Sequence, residues 1–111
     1  MACTADGGLF TTIDDIRKLW NGFINGDLIS PETKKQALTK QANIKDGSDY
    51  GLGFYIKNNE DGTVKNYELI GFDPGVSFLS TYFVDSDYLL TIISNTDFGT
   101  WDLEKSIREY L

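Results

Sequence analysis

A chain of 111 residues and 12.5 kDa is long enough for one domain, and its 41% hydrophobic and 14% aromatic residues exclude a disordered chain. The net charge of −7 excludes the basic surface that binds nucleic acid or anionic lipid. The absence of histidine excludes Ser-His-Asp triads and HExxH zinc sites, and the single cysteine, Cys3, excludes a thiolate metal centre. We therefore predict one domain over residues 1–111 with no metal, no cofactor and none of the ~20-residue apolar runs that span a membrane.

The first half of the chain has the pattern of two helices. Apolar residues recur at helical spacing between Ile16 and Phe23, which predicts a helix over residues 13–25 with Thr12 as N-cap and Gly26 as its stop. The sequence Ser30-Pro31-Glu32 is typical of a helix start and predicts a second helix over 31–38. The polar stretch 40–48 has no periodicity, so we predict a loop there.

The second half has the pattern of four strands and a closing helix. Residues alternate with period two over 50–56, where Gly51 and Gly53 share a face that permits close approach, and further strands are predicted over 64–70, 76–84 and 88–93. Residues 71–75 interrupt this series, and Thr100 is the predicted cap of a final helix with Leu103, Ile107 and Tyr110 facing inward. The order helix, helix, four strands, helix predicts an α+β fold, with an antiparallel sheet of about four strands flanked by helices.

The acidic pairs of the chain have two interpretations. Asp85 and Asp87, with Ser86 between them, have the residue types of a calcium or acid-base site, but such residues are more common at hairpin tips. Asp14 and Asp15 stand in a first helical turn, where carboxylates stabilise the helix dipole. We therefore predict structural roles for both pairs.

Several short segments, in this order, resemble one protein family. They are 7–16 (GGLFTTIDDI), 28–33 (LISPET), 50–54 (YGLGF), 71–75 (GFDPG) and 93–95 (ISN). Together they resemble the C-terminal part of the serine β-lactamase and penicillin-binding-protein superfamily, in its class C-like branch. The resemblance covers nearly the whole chain and implies a serine hydrolase that transfers acyl groups from β-lactams, D-alanyl peptides or related amides and esters.

The catalytic motifs of that family are absent here. The family carries its nucleophile in a Ser-x-x-Lys motif and a second motif of the form Tyr-x-Asn or Ser-x-Asn, and this sequence contains neither. Both would lie upstream of Gly7. We therefore expect that the chain is a C-terminal fragment with no catalytic residue of its own, which is inactive alone and whose natural partner is the missing N-terminal part.

The third family motif is kept only in outline. Its strand usually has the pattern His-x-Gly-x-x-Pro-Gly, and the matching residues here are Leu69-Ile70-Gly71-Phe72-Asp73-Pro74-Gly75. Leu69 and Ile70 replace the residues that would hold a substrate carboxylate or assist proton transfer. What the resemblance still implies is a substrate-binding strand, Leu69 to Phe72, whose Phe72 backbone N–H lies on the oxyanion side. The alternative is a purely structural bulge followed by a turn at Pro74.

A second function remains open beside the hydrolase fragment. The chain is alternatively a stand-alone, non-catalytic binding or interaction module derived from a pseudoenzyme, because Leu69 and Ile70 can bind without hydrolysing. Gly71 is predicted to allow close approach of a neighbouring strand or a ligand. A strand edge exposed by the missing part predicts self-association as a homo-oligomer. The resemblance implies a location at the cell envelope or outside the cell.

Overall fold

The computed structural model describes Thr4 and residues 7–111, which form three helices and six strands. In chain order they are α1 (Ile13–Asn25), α2 (Pro31–Ala37), β1 (Ala42–Lys45), β2 (Ser48–Tyr50), β3 (Tyr55–Asn58), β4 (Val64–Asp73), β5 (Val76–Phe83), β6 (Tyr88–Ser94) and α3 (Thr100–Arg108). The strands form one antiparallel sheet in the order β1 to β6. The α+β class is confirmed, whereas the predicted number of four strands is wrong. Cys3 lies outside the described residues.

Both N-terminal helices begin where their capping residues predict. The Thr12 hydroxyl accepts a hydrogen bond from the Asp15 N–H at 3.2 Å, and α1 ends at Gly26 in a left-handed conformation with φ of 82°. Ser30 caps α2 in the same way through the Thr33 N–H. These local signals correctly fix the positions of α1 and α2 in the chain.

The predicted loop over 40–48 and the predicted single strand over 50–56 are both wrong. The chain forms β1 and β2 here instead. The Asp49 carboxylate of β2 accepts hydrogen bonds from Asn43 of β1 and Asn58 of β3 at 2.8 Å each, and it pairs with Lys40 at 2.9 Å. Residues 51–54 then turn, because the Gly51 N–H donates to Phe54 and the Leu52 N–H donates to Ala37 of α2. Strands made of polar residues without alternation cannot be recognised from periodicity, because contacts between their side chains determine how they pair.

Gly51 is the point of closest backbone approach. A Cβ placed there would overlap the carbonyl oxygen of Ala37 and lie 3.3 Å from that of Thr39. The prediction that the glycine face permits close approach is therefore correct at Gly51, although this residue lies in a turn between strands. The turn seats the end of α2 against the beginning of β3.

The helices cover opposite faces of the sheet. Trp20 of α1 donates its indole N–H to Ser80 of β5 at 2.8 Å and stacks on Tyr82, so α1 covers the face that carries Ser80 and Tyr82. Thr100 of α3 hydrogen-bonds Ser77, and Arg108 contacts Phe83, which lie on the other face because side chains alternate along β5. We refer to these as the α1 face and the α3 face.

Helix α3 differs from its prediction at both ends. Gly99 is its N-cap without a side-chain hydrogen bond, and Thr100 is the first helical residue, 1% exposed. Leu103 is 51% exposed and Tyr110, beyond the helix, is 90% exposed, so the prediction that they face inward is wrong. Ile107, the third residue predicted to face inward, is half-buried. A short helix held through Thr100 and Arg108 is anchored by polar contacts, which an apolar periodicity cannot reveal.

The turn at Asp85–Asp87 is confirmed as a hairpin tip between β5 and β6. Asp87 has a φ of 56°, and its carboxylate accepts from the Tyr82 hydroxyl at 2.7 Å. This carboxylate raises the pKa of the Tyr82 phenol above its usual value. Asp87 therefore supports the turn.

Candidate functional site

The strand segment predicted to bind substrate, Leu69 to Phe72, lies in the second half of β4. On one side it pairs without interruption with β5, from Leu69 opposite Ser80 to Asp73 opposite Val76. On the other side β3 ends its pairing at Tyr55 opposite Glu68. Among the described residues, no strand pairs with this side of β4 beyond Glu68, so the edge of residues 69–73 is open for backbone hydrogen bonding.

The side chains of this segment alternate between the two faces. Leu69 and Gly71 lie on the α1 face, because they are opposite Ser80 and Phe78. Ile70 and Phe72 lie on the α3 face, where the Phe72 ring is 6.2 Å from that of Trp101 and 60% exposed. All four side chains are apolar or absent, so the segment can hold a ligand through backbone groups and apolar contacts.

Gly71 has no backbone neighbour close to its Cα hydrogens. A Cβ built there would lie 3.4 Å from Cβ of Phe78, an ordinary van der Waals contact, and its φ is not in the left-handed region. The predicted close approach of a neighbouring strand at Gly71 is therefore wrong. The predicted approach of a ligand at this residue stays a prediction.

The sequence predicted that this strand ends at residue 70, before Gly71, but β4 continues to Asp73. Pro74 and Gly75 then form a two-residue turn, in which Gly75 has a φ of 82°. No register shift occurs between Asn66 and Asp73, so the predicted bulge is also wrong. Pro74 presets the first turn position and Gly75 supplies the positive φ, which explains why the motif's frame is kept.

The loop before α3 is fastened to this turn. The Asp97 carboxylate accepts from the Gly75 N–H, and the Ser77 hydroxyl donates to the Thr96 carbonyl at 2.9 Å and hydrogen-bonds Thr100. Ser77 and Thr100 are at most 1% exposed. Residues 96–100 therefore hold the end of the open edge in a fixed position. This contact was not predictable from local sequence, because it joins residues about 20 positions apart.

The described residues contain one serine hydrogen-bonded to a lysine. Lys57 Nζ donates to Ser48 Oγ at 2.9 Å across β2 and β3. Such a pair has the residue types of a serine nucleophile with a lysine base. Ser48 is only 2% exposed, however, so a substrate carbonyl cannot reach its oxygen. The pair therefore has a structural role, as a polar contact between two strands.

The groups with shifted pKa values lie outside the segment itself. Burial raises the pKa of the Tyr67 phenol, which lies on the α1 face two residues before Leu69. The hydrogen bonds from Asn43 and Lys40 hold the pKa of the Asp49 carboxyl below its usual value. Residues 69–72 contribute no titratable group, so this segment can orient a ligand but cannot transfer a proton.

Two further properties of the described residues bear on the site. Residue 4 and residues 7–111 contain no group of three or more His, Cys, Asp or Glu side chains placed to hold a metal ion. Within the same part of the chain, no helix is long and apolar enough to cross a membrane.

Comparison with known proteins identifies a similar architecture among solved structures. No protein family model matches this sequence, and no curated protein matches it significantly. The crystal structure of a penicillin-binding protein from Bacillus halodurans superposes with a TM-score of 0.92 at 29% sequence identity. The match covers 98% of this chain and 33% of that protein, so the chain spans about one third of its length. The chain therefore has the fold of one part of a penicillin-binding protein.

Proposed function

We propose that this chain is the C-terminal part of a serine hydrolase of the penicillin-binding-protein and β-lactamase superfamily, from its class C-like branch. In the complete protein β4 would bind the substrate backbone, and the remaining part would supply the nucleophile and the base. The observation that carries this proposal is the open edge of residues 69–73, in a fold that superposes on one third of a penicillin-binding protein.

The chemistry of the open edge supports an acyl-transfer role. An extended substrate pairs with an unpaired strand through alternating N–H and C=O groups, which fixes its carbonyl without any charged side chain. The Phe72 N–H would donate to the oxyanion that forms when a nucleophile attacks that carbonyl, since a backbone donor does not depend on the side chain. We propose β-lactams, D-alanyl peptides or related amides and esters as the substrates of the complete protein, at the cell envelope or outside the cell.

The chain by itself should have no turnover. Positioned nucleophile and base provide most of the rate of such enzymes, and the sequence lacks the Ser-x-x-Lys motif that would carry them. Incubation with a chromogenic cephalosporin and a fluorescent penicillin, followed by intact-mass analysis, tests this. A covalent adduct on any serine, including Ser48, would overturn the proposal of inactivity.

Substrate binding at the open edge has a separate test. We expect that titration of the isotope-labelled chain with a D-alanyl-D-alanine peptide shifts the amide resonances of residues 69–73 and leaves those of Ser48 and Lys57 unchanged. Residues 77–79 of β5 serve as an internal control, because they are paired on both sides. Shifts confined to other strands would contradict the proposed edge.

The apolar pair Leu69 and Ile70 supports a second candidate, a non-catalytic binding module derived from a pseudoenzyme. The two candidates differ in the gene: an upstream reading frame with Ser-x-x-Lys supports the hydrolase part, and a stop codon directly before Met1 supports the module. A complete product that binds the peptide at β4 but forms no acyl-enzyme also supports the module.

A further inference from the structure

β4 depends on one neighbouring strand where its edge is open. From Leu69 to Asp73 it pairs with β5 alone among the described residues, because β3 pairs no further than Glu68. A strand edge that receives a ligand must stay unpaired, so the rigidity of this segment has to come from the β5 side. Phe72 lies directly opposite Ser77 of β5. The contacts that hold Ser77 therefore also restrain the backbone of Phe72.

Ser77 is held through its hydroxyl group in the interior of the protein. It is fully buried, and its hydroxyl donates to the Thr96 carbonyl at 2.9 Å. A hydroxyl has only one proton to donate, so in the hydrogen bond between Ser77 and Thr100 the Thr100 hydroxyl is the donor. Thr100 is also buried. Both hydroxyl protons are thus used within the chain, and they join the beginning of β5 to the first turn of α3.

The loop between β6 and α3 is joined to the same region by further hydroxyl groups. The Ser94 hydroxyl, at the end of β6, hydrogen-bonds the Thr96 hydroxyl at 2.8 Å, and the Thr96 hydroxyl donates to the Phe98 carbonyl at 2.6 Å. The next residue after Thr96, Asp97, accepts from the Gly75 N–H of the turn that follows β4. The loop therefore connects β5, β6 and this turn at the end of the open edge.

A buried hydroxyl pair contributes more to geometry than to stability. Replacing both partners of a buried hydrogen bond by apolar groups of the same shape is often nearly neutral. Hydrogen bonds, however, prefer a nearly linear arrangement of donor and acceptor, so they fix the orientation of the elements that they join. The pair Ser77 and Thr100 therefore determines how the loop before α3 lies against β5.

We propose that Ser77 and Thr100 are positioning residues for the open edge of β4. Their hydroxyl pair holds the loop before α3 against β5, and thereby keeps the Phe72 N–H in the direction in which it would meet a substrate oxyanion. The inference rests on the proposed function, which gives that N–H its role. A donor that is oriented before the substrate arrives needs no reorganisation during the reaction. Loss of the hydroxyl pair should therefore loosen the edge and weaken binding there.

Backbone relaxation tests the positioning without any substrate. Thr100→Val removes the hydroxyl and keeps the shape of the side chain, so the amide order parameters of Phe72 and Gly75 should fall from about 0.85, typical of a rigid backbone, toward about 0.6. Thr100→Ser keeps the hydroxyl and should retain the rigid values. Thr91→Val is the matched control, because Thr91 of β6 forms a hydroxyl pair with Ser80 of β5 at 2.8 Å, and it should leave both amides unchanged.

Peptide binding tests the consequence at the proposed site. Titration with a D-alanyl-D-alanine peptide should give a dissociation constant at least about threefold larger for Thr100→Val than for the unmodified chain, the effect of one lost hydrogen bond. Thr91→Val should bind as the unmodified chain does. If the unmodified chain binds no peptide, the proposed function fails, while the relaxation measurement still decides whether the hydroxyl pair positions Phe72.

Three results would overturn the proposal. They are a Phe72 amide that stays rigid in both Thr100→Val and Ser77→Ala, an equal loss of rigidity in Thr91→Val, and an unchanged peptide affinity in Thr100→Val despite a loosened edge. If Thr100→Val fails to fold, judged by circular dichroism, the comparison of Ser77→Ala with Ser80→Ala decides the question, because both serines are buried in the same strand. Only Ser77→Ala should then loosen Phe72.

Discussion

The two faces of the sheet are held by different kinds of interaction. On the α1 face, Trp20 is 2% exposed and its ring lies 5.5 Å from Phe54 and 5.8 Å from Tyr82, in a core built mainly of apolar and aromatic groups. On the α3 face, Asn66 is fully buried and Glu68 is 5% exposed. Aromatic burial dominates the first face, whereas the second combines the buried apolar residues Leu79 and Ile92 with buried hydrogen bonds and ion pairs.

The polar cluster of the α3 face is centred on Glu68. Its carboxylate accepts from Asn66 at 2.8 Å and pairs with Arg108 at 3.2 Å, while Arg108 also pairs with Glu104 and lies 4.9 Å from the Phe83 ring centre. Asn66 Oδ1 and Thr81 Oγ1 have no hydrogen-bond partner among the described residues. Buried polar contacts of this kind fix the relative orientation of α3 and the sheet, but they contribute less net stability than the same buried area of hydrocarbon.

The largest expected effect is on the α1 face. Trp20→Ala should lower the free energy of unfolding by about 3–5 kcal/mol, because it removes a fully packed aromatic residue and leaves a cavity. Chemical denaturation followed by circular dichroism measures this. Trp101→Ala is the matched control on the α3 face, since Trp101 is 38% exposed, and should cost less than about 1 kcal/mol. Equal losses in the two variants would refute the distinction between the faces.

The difference between the faces also explains what the sequence could predict. The apolar spacing of Ile16, Trp20 and Phe23 is local, so α1 and its buried stripe are predicted correctly. The anchoring of α3 depends on Arg108 meeting Glu68, 40 residues earlier in the chain, which no local pattern encodes. Sequence periodicity therefore identifies elements that bury hydrocarbon and misses those that are held by distant polar partners.

The candidate site follows the same rule. The motif frame at Gly71 and Pro74 placed the predicted substrate-binding segment on β4, because these residue types resemble a known pattern. The open edge of β4 was not predictable, since it exists only because the Gly51 turn starts β3 at Tyr55, opposite Glu68. The polar strands β1 and β2 were missed for a similar reason: Asp49 organises them through side-chain contacts.

The second prediction concerns the contact between α2 and the turn before β3. Gly51→Val should lower the free energy of unfolding by about 2–4 kcal/mol, because a Cβ there overlaps the carbonyl oxygen of Ala37 and backbone must move. Thermal unfolding by calorimetry measures it. Leu52→Val, at the neighbouring residue with 55% exposure, should have little effect. If both variants unfold at the same temperature, the close approach at Gly51 is not a constraint.

The third prediction measures the polar face. Glu68→Gln should cost about 1–3 kcal/mol, because the buried acceptor of Asn66 and Arg108 loses its charge while its shape is retained. Urea denaturation measures the loss. Glu60→Gln, at an exposed residue of the turn before β4, is the control and should be neutral. A loss for Glu68→Gln as large as that for Trp20→Ala would mean that both faces contribute equally to stability.

The smallest effect is expected at Gly71, beyond the densely packed part of the α1 face. The nearest atom to a Cβ added at Gly71 would be Cβ of Phe78, at 3.4 Å, and the strand edge beside Gly71 is open. A larger side chain therefore has space there. Valine also favours the extended backbone more strongly than glycine does, because glycine loses more conformational entropy on folding. Gly71→Val should therefore change the free energy of unfolding by less than about 1 kcal/mol, in either direction. A loss above 2 kcal/mol by calorimetry would contradict this prediction and place Gly71 in a packed region, as Gly51 is.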